Sequence, residues 1–302
     1  MTTNDYLEQL KQDKTDLVSN LTYQGIENLT GDETFTELVP KVLDITTGSA
    51  GRDWTEIGYT EEPQVIDDGF NYAKNIYDNW DSTRTSLNSE FQNDLNLLFM
   101  PAIDTLNVIN FGSVFQGCKK LLYIPQLNTS NGTRFSTAFN NCTSLTTIPQ
   151  LDMSNGTTFY AMFSGCSELT TIPQLDTSNG EDFQSMFGSC SKLTTIPQLN
   201  ASKSNNVYSM FNGCSSLTTF GGLLNLGQAF STTHSANYYS DTLSFDASDS
   251  LTHESLMNVI NKLYDIATKG CKTQKLQLGS TNLAKLTAEE IAIATNKGWT
   301  VS

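Results

Sequence analysis

Cysteines stand at 118, 142, 166, 190 and 214, each 24 positions after the last, and a sixth stands at 271. Thiols in such a series could form disulfides, ligate a metal, act as nucleophiles or fill space. Chain turns stacked about 5 Å apart would bring neighbouring thiols within disulfide reach. Parallel side chains in a reducing compartment argue against that pairing. Zinc takes thiolates from short Cys-x-x-Cys pairs or with nearby His, and neither accompanies this series. A catalytic thiol is one exposed group beside a base, whereas these five are equivalent. Buried cysteine is a common packing residue. Cys118, Cys142, Cys166, Cys190 and Cys214 are therefore expected to form a structural core column, with Cys271, after Gly270 at a helix end, packing too.

The other reactive types give little. His253, in Leu-Thr-His-Glu-Ser, reads as a capping or surface residue at a helix start. His234 lies in the polar, aromatic loop Ser231–Tyr239 with Tyr238 and Tyr239, which could touch a ligand. One His without a nearby carboxylate is weak support for general-base catalysis. Gly-rich phosphate loops, a Gly-x-Ser-x-Gly elbow and calcium-loop spacing do not occur. Asp152 and Asp176 recur at one turn position, but Asn128 and Asn200 replace them in neighbouring units, so the position reads as turn-forming. No loop offers a defensible pair of spaced carboxylates for glycan hydrolysis. The chain is therefore expected not to be an enzyme, and no catalytic, metal or cofactor-binding residue is assigned.

The elements that carry these residues follow from the repeat. Prolines at 101, 125, 149, 173 and 197 keep the cysteine step, and five units run from Pro101 to Phe220 without insertion. Self-similarity at this period signals a solenoid in the leucine-rich-repeat range. The apolar positions fall in columns: Phe111, Phe135, Phe159 and Phe183, closed by Val207, and Phe115, Phe139, Phe163, Phe187 and Phe211. Leu121, Leu145, Leu169, Leu193 and Leu217 make another, and Ile124, Ile148, Ile172, Ile196 and Phe220 another. One unit cannot bury such a face alone, and stacking makes it continuous. Leu-Thr-Thr-Ile before Pro predicts a short strand in a parallel stack. Phe-x-x-Met-Phe-x-x-Cys predicts a turn of helix on the opposite side, and Asp-Thr-Ser-Asn-Gly predicts a turn.

The fold class is thus an α/β solenoid, a leucine-rich repeat of 24-residue units with short parallel strands. Leu7, Leu10, Leu17 and Leu21, then Phe35 and Leu38 behind a capping box at Thr30–Glu33, predict a small helical appendage over residues 1–46 for anchoring and oligomerisation. Residues 47–53 read as a linker and 54–100 as an N-terminal cap, with Asp94 where Cys should stand. Residues 221–302 read as an irregular C-terminal cap with strands at Leu243 and Lys275–Leu278, a helix over Leu251–Ala267, a short helix over Thr287–Thr295 and a final Trp299-Thr-Val.

Two polar ladders remain. Gln126, Gln150, Gln174 and Gln198 stack beside Thr147, Thr171 and Thr195. Amide ladders stabilise a stack by hydrogen bonding along it. The same uncharged strip is also a candidate docking face for sugar or protein. Charged residues make up only 16% of the 302, yet the net charge is −15. Such acidity disfavours nucleic acid and anionic membranes as partners. No 18-residue apolar run occurs, so no membrane insertion is expected. The N-terminus lacks the basic and apolar regions of a secretory signal, so synthesis in a host cytoplasm is expected.

The stretch from Met162, Met-Phe-x-x-Cys-x-x-Leu-Thr-Thr-Ile-Pro-x-Leu-Asp-Thr-Ser-Asn, resembles BspA-type leucine-rich repeats, and so does that from Met186 without the Asp-Thr. The resemblance covers about residues 77–225 and departs from the usual Ser-Asn-Val by carrying Ser-Asn-Gly. Repeats of this type occur in bacterial surface proteins, some protozoan proteins and bacteriophage structural proteins. Residues 21–42 resemble an N-terminal segment of phage tail and fibre proteins, and Asn296-Lys-Gly-Trp-Thr-Val resembles phage proteins of this class. The resemblance implies a virion fibre or tail/head appendage. It would attach to other virion proteins through residues 1–46, form a homo-oligomer and contact a host-surface glycan or protein. A bacterial cell-surface BspA-like adhesin is the alternative.

Overall fold

The computed structural model describes residues 72–73, 75–230, 242–271 and 273–302. The helical appendage with Leu7, Leu10, Leu17, Leu21, Phe35 and Leu38, the 47–53 linker, and His234, Tyr238 and Tyr239 lie outside them.

The apolar columns stack as a repeat solenoid. Phe91, Phe115, Phe139, Phe163, Phe187 and Phe211 form one file of rings with successive centroids 5.4–6.0 Å apart. Phe245 of the C-terminal region extends the file, stacked on Phe211 at 4.9 Å. Phe111, Phe135, Phe159 and Phe183 make a second file at 5.4–6.0 Å. The Leu and Ile columns are buried beside them. Aromatic pairs at such spacing add attraction beyond the area they bury.

The expected strand is present but minimal. Thr195–Ile196 (β1) pairs in parallel with Thr219–Phe220 (β3), and Leu199–Asn200 (β2) with Leu223–Leu224 (β4). Earlier turns hold the same alignment by single bridges such as Phe99 to Tyr123 and Thr171 to Thr195. The proline after each Ile has no N–H, so the ladder stops there. A second parallel ladder, one residue wide, runs through Ser86, Asn110, Arg134, Thr158, Asp182 and Asn206.

The helix expected at Phe-x-x-Met-Phe-x-x-Cys does not form. In Phe159–Cys166 the N–H groups of 159, 161, 163 and 165 donate to carbonyls 182, 184, 186 and 188 of the next turn. Those of 162, 164 and 166 donate three residues back. Ala161 and Gly165 are left-handed, at φ 48° and 80°. The segment is a chain of tight turns that hydrogen-bonds between layers, an arrangement a helix's internal ladder would preclude. Its apolar residues still face inward, because the turns also return every third or fourth side chain to one side.

Left-handed backbone explains a further column: Asn93, Gly117, Asn141, Gly165, Ser189 and Gly213 alternate. All have positive φ. A Cβ on Gly165 would lie 2.3 Å from Asn141 Oδ1, so each side chain occupies the space over the next turn's glycine. The Ser-Asn-Gly departure has its own cause. A Cβ on Gly156 would lie 2.6 Å from Cζ of Phe159, and Gly132 and Gly180 meet Phe135 and Phe183 in the same way. In the turn where Val207 replaces Phe, Ser204 replaces Gly.

At the N-terminal end Asp94 stands in the cysteine position and accepts from Tyr72 Oη at 2.5 Å, tying the helical residues 72–73 to the first turn. Trp80 Nε1 donates to Asp104 C=O at 2.7 Å. At the C-terminal end Thr242–Ser244 (β5), Gln274–Gln277 (β6) and Trp299–Val301 (β7) form a parallel sheet in that order. Three helices serve it: His253–Lys262 (α1), Gly279–Leu283 (α2) and Ala288–Asn296 (α3). Helix α1 is shorter than its apolar pattern, because Leu263 turns to ψ 139°. Ser255 Oγ ties α1 to β3 by accepting from Phe220 N–H at 3.0 Å. A capping box of Thr287 and Glu290 starts α3.

Candidate functional site

Each thiol of the cysteine column donates to a phenylalanine carbonyl in the preceding turn: Cys118 to Phe91, Cys142 to Phe115, Cys166 to Phe139, Cys190 to Phe163 and Cys214 to Phe187, at 2.8–3.1 Å. That carbonyl already accepts the N–H of the residue three positions on, Asp94 for Phe91 and a cysteine in the later turns, for example Cys166 N–H to Phe163 C=O at 3.0 Å. The thiol thus satisfies a second lone pair that would otherwise be buried unpaired, a role beyond filling space. All five are free and buried. Burial pushes Cys118 and Cys214 up to about 12 and holds Cys142 and Cys190 well above the ordinary thiol range. Neutral thiols without access are poor nucleophiles and poor metal ligands. Among the described residues no group of three His, Cys, Asp or Glu is placed to hold a metal.

The Gln/Thr strip is built as framework with one outward side. Gln126 Nε2 donates to Gln150 C=O, Gln150 Nε2 to Gln174 C=O at 2.6 Å, and Gln174 Nε2 to Gln198 C=O at 2.7 Å. Thr147 and Thr195 are half-buried and Thr171 exposed, alternating with inward Ile on each short strand. The neighbouring Thr170, Thr194 and Thr218 hydroxyls donate to Thr146, Thr170 and Thr194 C=O at 3.1–3.3 Å. Ser167, Ser191 and Ser215 do the same one layer back, at 3.4–3.5 Å, and Ser250 continues that file into the C-terminal region at 3.3 Å. These hydroxyl files follow from a period that aligns Ser with Ser and Thr with Thr.

Two other assignments gain partners. Asp152 and Asp176 accept from the N–H of Ser154 and Ser178 at 3.0 Å, and Asn128 and Asn200 accept from Ser130 and Ser202 at 3.2 and 3.0 Å. The alternating position is a turn cap, where either side chain serves. His253 is a surface residue at the first position of α1, with Nε2 2.8 Å from Glu290 Oε1. That carboxylate, 37 residues on, was not evident from local sequence.

The same turns also carry a groove that the sequence reading missed. Two files of equivalent positions, Thr83, Asn107, Asn131 and Asn155, and Thr85, Ile109 and Thr133, line an open space of about 680 Å³. Asn107, Asn131, Asn155 and Asn179 each donate Nδ2 to a carbonyl of the preceding turn, at 2.5–3.0 Å. The signal for it was the aligned Asn at 107, 131, 155 and 179.

A family described as Mycoplasma protein of unknown function, DUF285, matches residues 82–195, 109–220 and 133–247, overlapping spans that together cover more than half of the chain. The chain belongs to this family. Membership of DUF285 agrees with the BspA-type leucine-rich repeat expected from the Met-Phe-x-x-Cys-x-x-Leu units and lends no support to a bacteriophage source. The crystal structure of a T. pallidum leucine-rich-repeat protein is similar over 48% of this chain and 70% of that one, at 18% identity and a TM-score of 0.31. No curated protein matches the DUF285 chain. No described helix is long and apolar enough to cross a membrane.

Proposed function

We propose that this DUF285 chain is a non-enzymatic leucine-rich-repeat solenoid of 24-residue units that binds a partner at a cell or particle surface. The observation that carries the reading is the use of reactive side-chain types as framework. Column thiols cap buried carbonyls, and Asp152 and Asp176 cap turns. Long, uncharged polar faces are what the repeat then presents outward. Such faces suit binding, as the extended surfaces of solenoids commonly do.

The partner is a host-surface glycan or protein. The chain serves as a homo-oligomeric appendage of a virion, attached to other virion proteins through residues 1–46, with the solenoid projecting. A second reading, equally compatible with the family match, places the same solenoid on a bacterial cell surface as a BspA-like adhesin. The two readings share the binding role and differ in address. Mass spectrometry of purified virions, paired with surface labelling of intact cells, separates them. Detection in particles supports the first and surface labelling the second, while absence from both ends the proposal. A chain lacking residues 1–46 is expected to keep its solenoid and lose attachment, and loss of folding would contradict that division.

A further inference from the structure

We infer that the Asn/Thr groove is a binding site for an extended, uncharged β-1,4-linked glycan, lying along the solenoid axis with one sugar per turn. The inference rests on the binding role proposed above and moves it from the Gln/Thr strip to this groove.

The groove runs across successive turns, because Thr83, Asn107, Asn131 and Asn155 are equivalent positions, as are Thr85, Ile109 and Thr133. Turns repeat about every 5 Å, as strands in a sheet do, and an extended β-linked pyranose chain advances by nearly the same length per sugar. A ligand of that period places one sugar over each turn, and because successive β-1,4-linked sugars alternate in orientation, identical contacts recur at every second turn. The lining groups match a sugar. One N–H of each of Asn107, Asn131 and Asn155 is held by a backbone carbonyl, which fixes the amide plane. The Oδ1 atoms have no partner among the described residues, so each amide keeps an acceptor and a second N–H for hydroxyls. The amides of Gln126, Gln150 and Gln174, by contrast, each bridge two carbonyls, as Gln150 Nε2 does with Leu151 and Gln174.

The apolar component is present as well. Ile109 is 47% exposed in the groove wall, where the next turn has Thr133. Pockets that hold organic ligands combine apolar walls with a few fixed polar groups and fall in this size range. Among the described residues no charged side chain lines the groove, and the net charge of −15 repels anionic glycans.

The test is calorimetry of the full chain with β-1,4-linked N-acetylglucosamine oligomers of two to six sugars. Affinity is expected to rise with each sugar up to about four, one per turn lining the groove, and then level. Ile109→Lys and Thr85→Lys, both at exposed positions, are each expected to weaken binding at least tenfold with unchanged melting. Thr171→Arg on the Gln/Thr strip is expected to leave it unchanged. Length-independent binding, or Ile109→Lys and Thr85→Lys that bind like the parent chain, overturns the groove. If Thr171→Arg abolishes binding while those two do not, the groove is wrong and the binding role stands. If no oligomer binds but the chain adheres to cells, the glycan assignment fails alone; if it also fails to adhere, both readings fail.

Discussion

Each thiol of the cysteine column is a buried hydrogen-bond donor, and burial opposes the ionisation of Cys118, Cys142, Cys190 and Cys214. The five are expected to resist a thiol reagent in the native chain at pH 8, while half-buried Cys271 reacts. Titration should therefore give about one fast thiol natively and all six after denaturation. Six fast native thiols would contradict the column. The pH dependence follows from the raised values. A thiol held neutral in the folded chain contributes stability that is intact below its ordinary value of 9.0 and lost as pH rises towards about 12. Tyr72, raised to about 12 first by its hydrogen bond to Asp94, acts in the same direction over pH 10–12 at the N-terminal end. Melting temperature should fall steadily from pH 9 to 12, and Cys190→Val should flatten that fall. That variant should also lose about 1 kcal/mol at pH 7, because Phe163 C=O loses a donor. A profile flat to pH 12 would refute the assignment.

At the scale of the element, the turn between the two faces depends on paired choices. Gly156→Ala puts a methyl group against the Phe159 ring and should destabilise the chain by about 2 kcal/mol. Combining it with Phe159→Val recreates the Ser204/Val207 type of pairing. The double variant should then be less destabilised than the sum of the single ones. Urea denaturation of the four chains measures this coupling, and strict additivity would contradict the steric cause. The apolar columns were legible from sequence because a solenoid selects the same inward residue in every turn. The tight-turn geometry was not. Phe159, Met162, Phe163 and Cys166 have a spacing that a helical turn and successive tight turns both satisfy. The distinguishing signs were the Asn/Gly alternation from 93 to 213 and the small residues at 113, 137, 161, 185 and 209, all at positive φ. Both depend on contacts between turns, which local periodicity does not report. The groove was overlooked for the same reason, since its walls come from separate turns.

At the scale of the molecule, stability should be a sum over neighbouring layers, but not over arbitrary ones. Deleting residues 173–196 removes Ser189 and sets Gly213 after Gly165. Deleting residues 149–172 removes Gly165 and sets Ser189 after Asn141, where two side chains compete for one space. The first deletion should melt at the higher temperature, and the reverse order would show that the alternation is incidental. The low charge content has the same origin. Layers about 5 Å apart favour Ser, Thr, Asn and Gln, which donate to the next layer, over like charges that repel. An opposite pair does stack at Lys192 Nζ to Glu168 Oε2, 2.6 Å apart, while Asp152 and Asp176 recur as like charges whose carboxylates are held by their own turns' N–H groups. On the proposed reading, a solenoid so built offers surface rather than reactivity. Sedimentation of the full chain with isolated bacterial cell-wall material, with released reducing sugar assayed in the same tube, tests that most directly. A binding solenoid pellets with the wall and releases no sugar; a chain that stays in solution, or that liberates sugar, contradicts it.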